Sequence, residues 1–167
     1  GKELEGKVIT IEGGVKENKP FAFENLPKYS TAGKEYTYTV VEETLNGYKS
    51  SGEGNLSNNY IITNTFTPET IPIMGNKTWS NVSNISKVPT ITIYLERSLD
   101  GVTWTRVDGQ VRELTAGNTK YQFDNLPKYA SDSREYKYRV VETPIVGYTS
   151  SNNGSYNILN TYEPGET

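Results

Sequence analysis

Apolar and polar residues alternate in short stretches along the whole chain, and no segment sustains a 3.6-residue apolar period. In the C-terminal part this alternation, with its β-branched and aromatic enrichment, predicts strands near 73–79, 90–97, 102–107, 111–115, 119–124, 134–143 and 156–162. Asp100-Gly101, Asp108-Gly109, Ala116-Gly117-Asn118 and Asn153-Gly154 carry turn chemistry and read as the breaks between several of these strands. Short strands at this spacing point to an immunoglobulin-like sandwich.

The pattern is also repeated. Asn25-Leu-Pro-Lys-Tyr29 recurs as Asn125-Leu-Pro-Lys-Tyr129, and the flanks follow at the same offset. Phe23 matches Phe123, Glu35-Tyr36 matches Glu135-Tyr136, Val40-Val41-Glu42 matches Val140-Val141-Glu142, and Gly47-Tyr48 matches Gly147-Tyr148. After a four-residue deletion in the second copy, Ile62-Thr-Asn64-Thr-Phe66 pairs with Ile158-Leu-Asn160-Thr-Tyr162. Colinear similarity of this length is a tandem duplication, and its strand-like content excludes a helical solenoid. The expected fold is all-β, with tandem immunoglobulin-like β-sandwich modules. The domains are expected at 1–67, with a stiff Pro-containing linker at 68–72, and at 73–164, with the next linker starting at 165–167. Gly1 aligns with Gly101, so the first repeat is expected to lack its first two strands and to begin inside a domain.

Side-chain direction isolates three residues. Alternate residues share a face of a strand. Tyr136, Tyr138, Val140 and Glu142 therefore lie together, as do Tyr156, Ile158, Asn160 and Tyr162, and Ile73, Gly75, Lys77 and Trp79. A carboxylate, an amide and an amine each fall on an otherwise apolar face. A lone buried Lys or Glu costs several kcal/mol unless paired, so the three are expected to meet. The first repeat reproduces the carboxylate face as Tyr36, Tyr38, Val40, Glu42 and the amide face as Tyr60, Ile62, Asn64, Phe66.

Composition narrows the function classes. With no Cys there is no disulfide scaffold or zinc–thiolate site, and with no His the commonest general base and metal ligand are missing. Hydrophobic content is only 34%, but thirteen Tyr, four Phe and two Trp supply rings enough for thin sandwiches. A net charge of −3 gives no basic patch for nucleic acid or an anionic membrane. No stretch reads as a signal peptide or a membrane span, so a soluble interior or mature segment is expected. A small secreted domain without disulfides needs another source of stability.

Taken together, Lys77-Thr-Trp79, Asn125-Leu-Pro-Lys-Tyr129, Tyr138-x-Val140-x-Glu142, Gly147-Tyr148 and Asn160-Thr-Tyr162 resemble the B-type repeat of staphylococcal collagen adhesin, a module also found in Gram-positive pilins. The likeness covers all of the second repeat and the C-terminal two-thirds of the first. It implies a reversed-immunoglobulin sandwich and a stalk role in a cell-wall-anchored surface protein with neighbouring repeats as partners. It also implies an intramolecular bond between Lys77 and Asn160, promoted by Glu142. That chemistry needs a neutral amine, which burial favours, and a carboxylic acid that can polarise the amide and carry protons to the departing ammonia. Such a reaction turns over once, so the chain is not read as an enzyme, and no cofactor or metal is expected. The rival reading is a hydrogen-bonded polar cluster that never reacts.

In the first repeat Glu42 and Asn64 form an incomplete copy of the site. Lys7 alternates with Ile9 and Ile11 but corresponds to a middle strand. A strand supplied by another chain, bearing a lysine, could dock on the open edge. Asn55-Leu-Ser, Asn76-Lys-Thr, Asn81-Val-Ser, Asn84-Ile-Ser and Asn153-Gly-Ser match the glycosylation pattern, as chance allows in so Asn- and Ser-rich a chain. Asp100 and Asp108 read as solvated turn carboxylates rather than metal ligands. The repeated Asn-Leu-Pro-Lys-Tyr reads as a turn with a buried Leu. A host-ligand-binding module remains an alternative function. The lack of a nucleophile–base pair argues against a hydrolase or transferase.

Overall fold

The computed structural model describes residues 1–13, 18–152 and 154–165. The chain divides into two compact units, Gly1–Phe66 and Thr67–Thr167.

Among its described residues the first unit carries one two-stranded antiparallel sheet, β1 (Tyr48–Ser50) and β2 (Asn64–Phe66), and a 3-10 turn at Leu56–Asn58. Isolated bridges join Tyr29 to Glu35 and Val40 to Gly54. Many of its large apolar residues, among them Val8, Ile11, Tyr36, Val41 and Ile61, are exposed, and others such as Phe21, Phe23 and Tyr38 are half-buried. Lys7 is exposed and donates to the Glu24 carbonyl at 2.9 Å, in no strand.

The second unit holds seven strands: β3 (Thr70–Ser80), β4 (Ile91–Ser98), β5 (Thr105–Leu114), β6 (Lys120–Pro127), β7 (Lys137–Glu142), β8 (Tyr148–Ser151) and β9 (Ile158–Tyr162). They form a four-stranded sheet in the order β6-β3-β9-β8 and a three-stranded sheet in the order β5-β4-β7. The inner faces meet in one cluster of Ile73, Ile91, Ile93, Leu95, Leu114, Tyr121, Phe123, Leu126, Tyr138, Val140 and Ile158. Each large aliphatic side chain taken from water here contributes about 1.5–3 kcal/mol. This is the all-β, immunoglobulin-like sandwich expected from the alternation.

Four details differ from the expected strands. β3 begins at Thr70, inside the segment read as a linker, because Thr70 and Ile71 pair with Pro127 and Leu126. The stretches 102–107 and 111–115 are not two strands. Asp108-Gly109 sits inside β5, where Gly109 takes a φ of 73° and the register shifts, and both halves of β5 pair with β4. An Asp-Gly pair supplies a positive φ, and here a bulge uses it instead of a hairpin. Val102 lies in the preceding turn, fully outside the sheet. β8 was not anticipated: four residues, three of them Ser or Thr, carry no alternation signal. The Asn153-Gly154 turn has its first residue outside the described residues.

The pairing of β3 with β9 is parallel, Lys77 to Ile158 through Ser80 to Thr161, whereas every other ladder among the described residues is antiparallel. It brings the first and last strands of the unit side by side.

Candidate functional site

β3 is buried at every second residue, so Ile73, Gly75 and Lys77 all point into the core. On β9, Ile158 and Asn160 do the same, and on β7 Tyr138 and Val140 precede the Glu142 side chain. Lys77 is 2% exposed and Asn160 0%. The Glu142 side chain is 3% exposed. Three strands from both sheets thus deliver the amine, the carboxylate and the amide to one interior point.

The Lys77 Nζ lies 3.5 Å from Glu142 Oε2, and Asn160 Nδ2 donates to Glu142 Oε1 at 2.5 Å. Lys77 Nζ also donates to the Thr78 carbonyl at 3.3 Å and stands 4.2 Å from the centre of the Trp79 ring. Glu142 Oε2 and Asn160 Oδ1 are buried without a hydrogen-bond partner. The 3.5 Å contact is therefore an ion pair rather than a close hydrogen bond, since neutralising charge does not by itself satisfy a lone pair. Burial lowers the Lys77 amine from 10.5 to about 8, against the opposing pull of the Glu142 charge. Desolvation outweighs the ion pair and makes the lone pair accessible near neutral pH.

Aromatic rings close one end of the site. Trp79 meets Tyr148 edge-on at 5.1 Å, and Tyr148 meets Tyr162 at 5.4 Å. Tyr156 and Tyr162, expected on the buried face, are more than a third exposed. They sit outside the sheet and at its last residue, where the opposite layer no longer covers them.

In the first unit Asn64 Nδ2 donates to Glu42 Oε1, repeating the bond of Asn160 to Glu142, but both residues are exposed. Lys7 is held at the Glu24 carbonyl and does not join them.

The remaining motifs have local explanations. Asn25 and Asn125 adopt φ of 59° and 55°, the left-handed region that Asn tolerates, and Leu126 is buried. Tyr38 and Tyr138 donate to the Pro27 and Pro127 carbonyls, each at 2.5 Å. These hydroxyl ties were not read from sequence, although a Tyr eleven residues after each Pro was the available signal. Asn55 and Asn84 cap 3-10 turns and the Asn81 amide donates to the Tyr162 carbonyl. Asn153 lies outside the described residues. Asp100 accepts from the Ser98 hydroxyl and the Val102 and Thr103 amides, which hold its carboxyl well below the usual range.

An all-β module with first and last strands in parallel contact and a buried amine–carboxylate–amide cluster between them defines a class, and comparison with known proteins places it. The family profile described as "Cna protein B-type domain" matches residues 2–65 and 73–161. The chain belongs to this family. It is 35% identical over 136 residues to a collagen adhesin of Staphylococcus aureus, covering 81% of this chain and 11% of that protein. The chain therefore spans about a tenth of that relative's length. Among solved structures, two B repeat units of the collagen-binding protein of Staphylococcus aureus match with a TM-score of 0.50 at 27% identity. That match covers 84% of this chain and 36% of theirs. A single B repeat unit of the same protein matches at 28% identity with a TM-score of 0.47, over 85% of this chain and 73% of that one.

Proposed function

We propose that the chain is part of the repeat stalk of a Gram-positive surface adhesin or pilin, extracellular and wall-anchored through other parts of its protein, with further repeats as its neighbours. Its second unit is locked by a self-formed amide between Lys77 and Asn160. The observation that carries the lock is the buried contact of Lys77, Glu142 and Asn160, in which two acceptor atoms lack partners. A passive polar cluster at full burial ordinarily satisfies its atoms, since each orphan costs about 1–3 kcal/mol.

The chemistry follows from the placement. The Lys77 ammonium passes a proton to Glu142 Oε2 and its free amine attacks Asn160 Cγ. Glu142, now an acid, hands that proton to Nδ2, which it already touches. The Nζ–Cγ bond forms and the Cγ–Nδ2 bond breaks. Nδ2 leaves as ammonium with the two protons shed by Nζ, and Glu142 ends as it began. Folding holds the reactants together, which replaces a bimolecular encounter by an intramolecular one. The product ties β3 to β9 across a loop of about eighty residues, a restriction worth ~4–5 kcal/mol in the unfolded state by the loop-closure estimate. Tension entering at one end of the unit then passes through the bond. The reaction runs once and regenerates no free protein, so the role is structural.

Intact mass tests this. The folded protein is expected to weigh one ammonia less than its sequence, and Lys77→Ala and Glu142→Gln are expected to retain that ammonia. A full-sequence mass for the folded wild type contradicts the lock.

For the first unit, we propose that Glu42 and Asn64 await a lysine from a strand outside residues 1–66, from the same protein or from another chain. The retained Glu42–Asn64 hydrogen bond supports this reading. A synthetic Thr70–Ser80 peptide, added to the whole chain, is expected to couple to Asn64 with loss of ammonia. Failure to couple at any peptide concentration counts against it.

A further inference from the structure

Lys77 can meet Asn160 only if β3 and β9 stand in one register, and a slip by one residue would turn the amine out of the core. Parallel ladders with only four residue pairs specify register weakly by themselves. Two side chains fasten this one just before it starts. The Tyr121 hydroxyl, from β6, reaches over β3 and donates to the Tyr156 carbonyl, two residues ahead of Ile158. It passes at Gly75, where a Cβ would overlap both the Tyr121 hydroxyl and the Tyr156 carbonyl oxygen. β9 is thereby tied to β6 with β3 held between them.

The second fastening lies at Asn76. The Lys77 amide faces β6 and donates to Thr119, so the Asn76 amide faces β9, one step before the ladder provides it a backbone acceptor. The Asn157 side-chain oxygen takes that place, accepting from the Asn76 amide at 3.0 Å and from the Asn76 side chain at 3.4 Å. In the first unit the corresponding positions are Phe21 and Ile61. Phe21 keeps the ring contact, 6.1 Å from Phe23 against 5.8 Å for Tyr121 and Phe123, without the hydroxyl. The hydroxyl and the amide that fasten the lysine strand are both missing at these two positions.

We infer that Tyr121 and Asn157 are positioning residues for the cross-link, a register clamp that pairs Lys77 with Ile158, leaves Asn160 diagonally across on the same face, and governs how fast the bond forms. The inference rests on the proposed self-cross-linking and adds residues to it that touch no reacting atom.

The test follows the whole chain as it is made. Wild type, Tyr121→Phe, Asn157→Leu, the double variant and Asn157→Asp are synthesised in a cell-free translation system and quenched in denaturant at intervals. The linked chain is read by its faster gel migration and by ammonia loss. A protease pulse before quenching reports which unlinked chains are already folded. Tyr121→Phe and Asn157→Leu are expected to give protease-resistant chains that link about tenfold more slowly, the double variant more slowly still. Asn157→Asp, which keeps an acceptor for the Asn76 amide, is expected to link at the wild-type rate. The clamp is overturned if folded variants link as fast as wild type, if Asp and Leu at 157 behave alike, or if the variants slow only because they fail to fold. If wild type itself never loses ammonia, the cross-link reading falls, and the clamp with it.

Discussion

The two units carry the same Glu–Asn pair in two environments. Asn64 bonds Glu42 and Asn160 bonds Glu142 through the same atoms. Tyr36–Tyr38 and Tyr136–Tyr138 both stand with centroids 6.1 Å apart, at 48° and 51°. Yet the first pair is exposed and the second sealed. The second unit has β3 and β4, which have no counterpart among the described residues of the first. β3 lies between β6 and β9 and brings the amine, and β4 pairs with β7 beside Glu142 and lays Ile91, Ile93 and Leu95 into the core. Local sequence is thus enough to form the carboxylate–amide pair, but neighbouring strands decide whether the pair sits where it can react.

Equal substitutions in the two units separate these contributions. Glu142→Ala is expected to cost at least about 3–5 kcal/mol by stranding a buried lysine, with the cross-link's ~4–5 kcal/mol lost besides. Glu42→Ala, at an exposed site, is expected to stay within about 0.5 kcal/mol. Denaturant unfolding of each variant checks both, and equal effects would break the comparison.

Protonation gives the next effect. The proton that frees the Lys77 amine stays within the Lys77–Glu142 pair, so the reactive form holds as many protons as the resting ion pair. Above about 8 the pair loses that proton and Glu142 no longer has one to give. Linking rates in newly made chains are expected to be level from pH 6 to 8 and to fall above that, and a rate that rises tenfold per unit from pH 6 to 8 would contradict the mechanism.

Gly75→Ala places a methyl group against Tyr121 and Tyr156, and is expected to destabilise the second unit by about 1–3 kcal/mol. Thermal unfolding of the uncross-linked Glu142→Gln background isolates that effect. Smallest is the hydroxyl tie. Tyr138→Phe is expected to cost about 1 kcal/mol, because the Pro127 carbonyl loses its partner beside the core. Tyr38→Phe is expected to cost less, water being at hand to replace the bond. Paired unfolding curves measure the gap.

Much of this was legible before the fold. Strict alternation along β3 placed Lys77 inward, and the duplicated Tyr-x-Tyr-x-Val-x-Glu face did the same for Glu142. Those are local period-2 statements, and the chain's own repeat supplied a second reading of the carboxylate and amide faces. What alternation could not supply was pairing. That Asp108-Gly109 would bulge within one strand depended on both halves meeting β4. β8 exists because it pairs with β9, its own residues being polar. Tyr121 and Asn157 gained their roles only once β3 lay parallel to β9, since neither a core aromatic nor a polar residue beside a strand marks itself as a fastener. Tyr156 is exposed because β9 begins only at Ile158, so the alternation does not reach it.

Peptide mapping tests the central claim most directly. The whole chain is digested and every Lys- and Asn-containing peptide weighed. The account predicts one branched species joining the Lys77 and Asn160 peptides with loss of a single ammonia, while the Asn64 peptide stays unmodified. Recovery of separate, full-mass Lys77 and Asn160 peptides from the folded protein would contradict it.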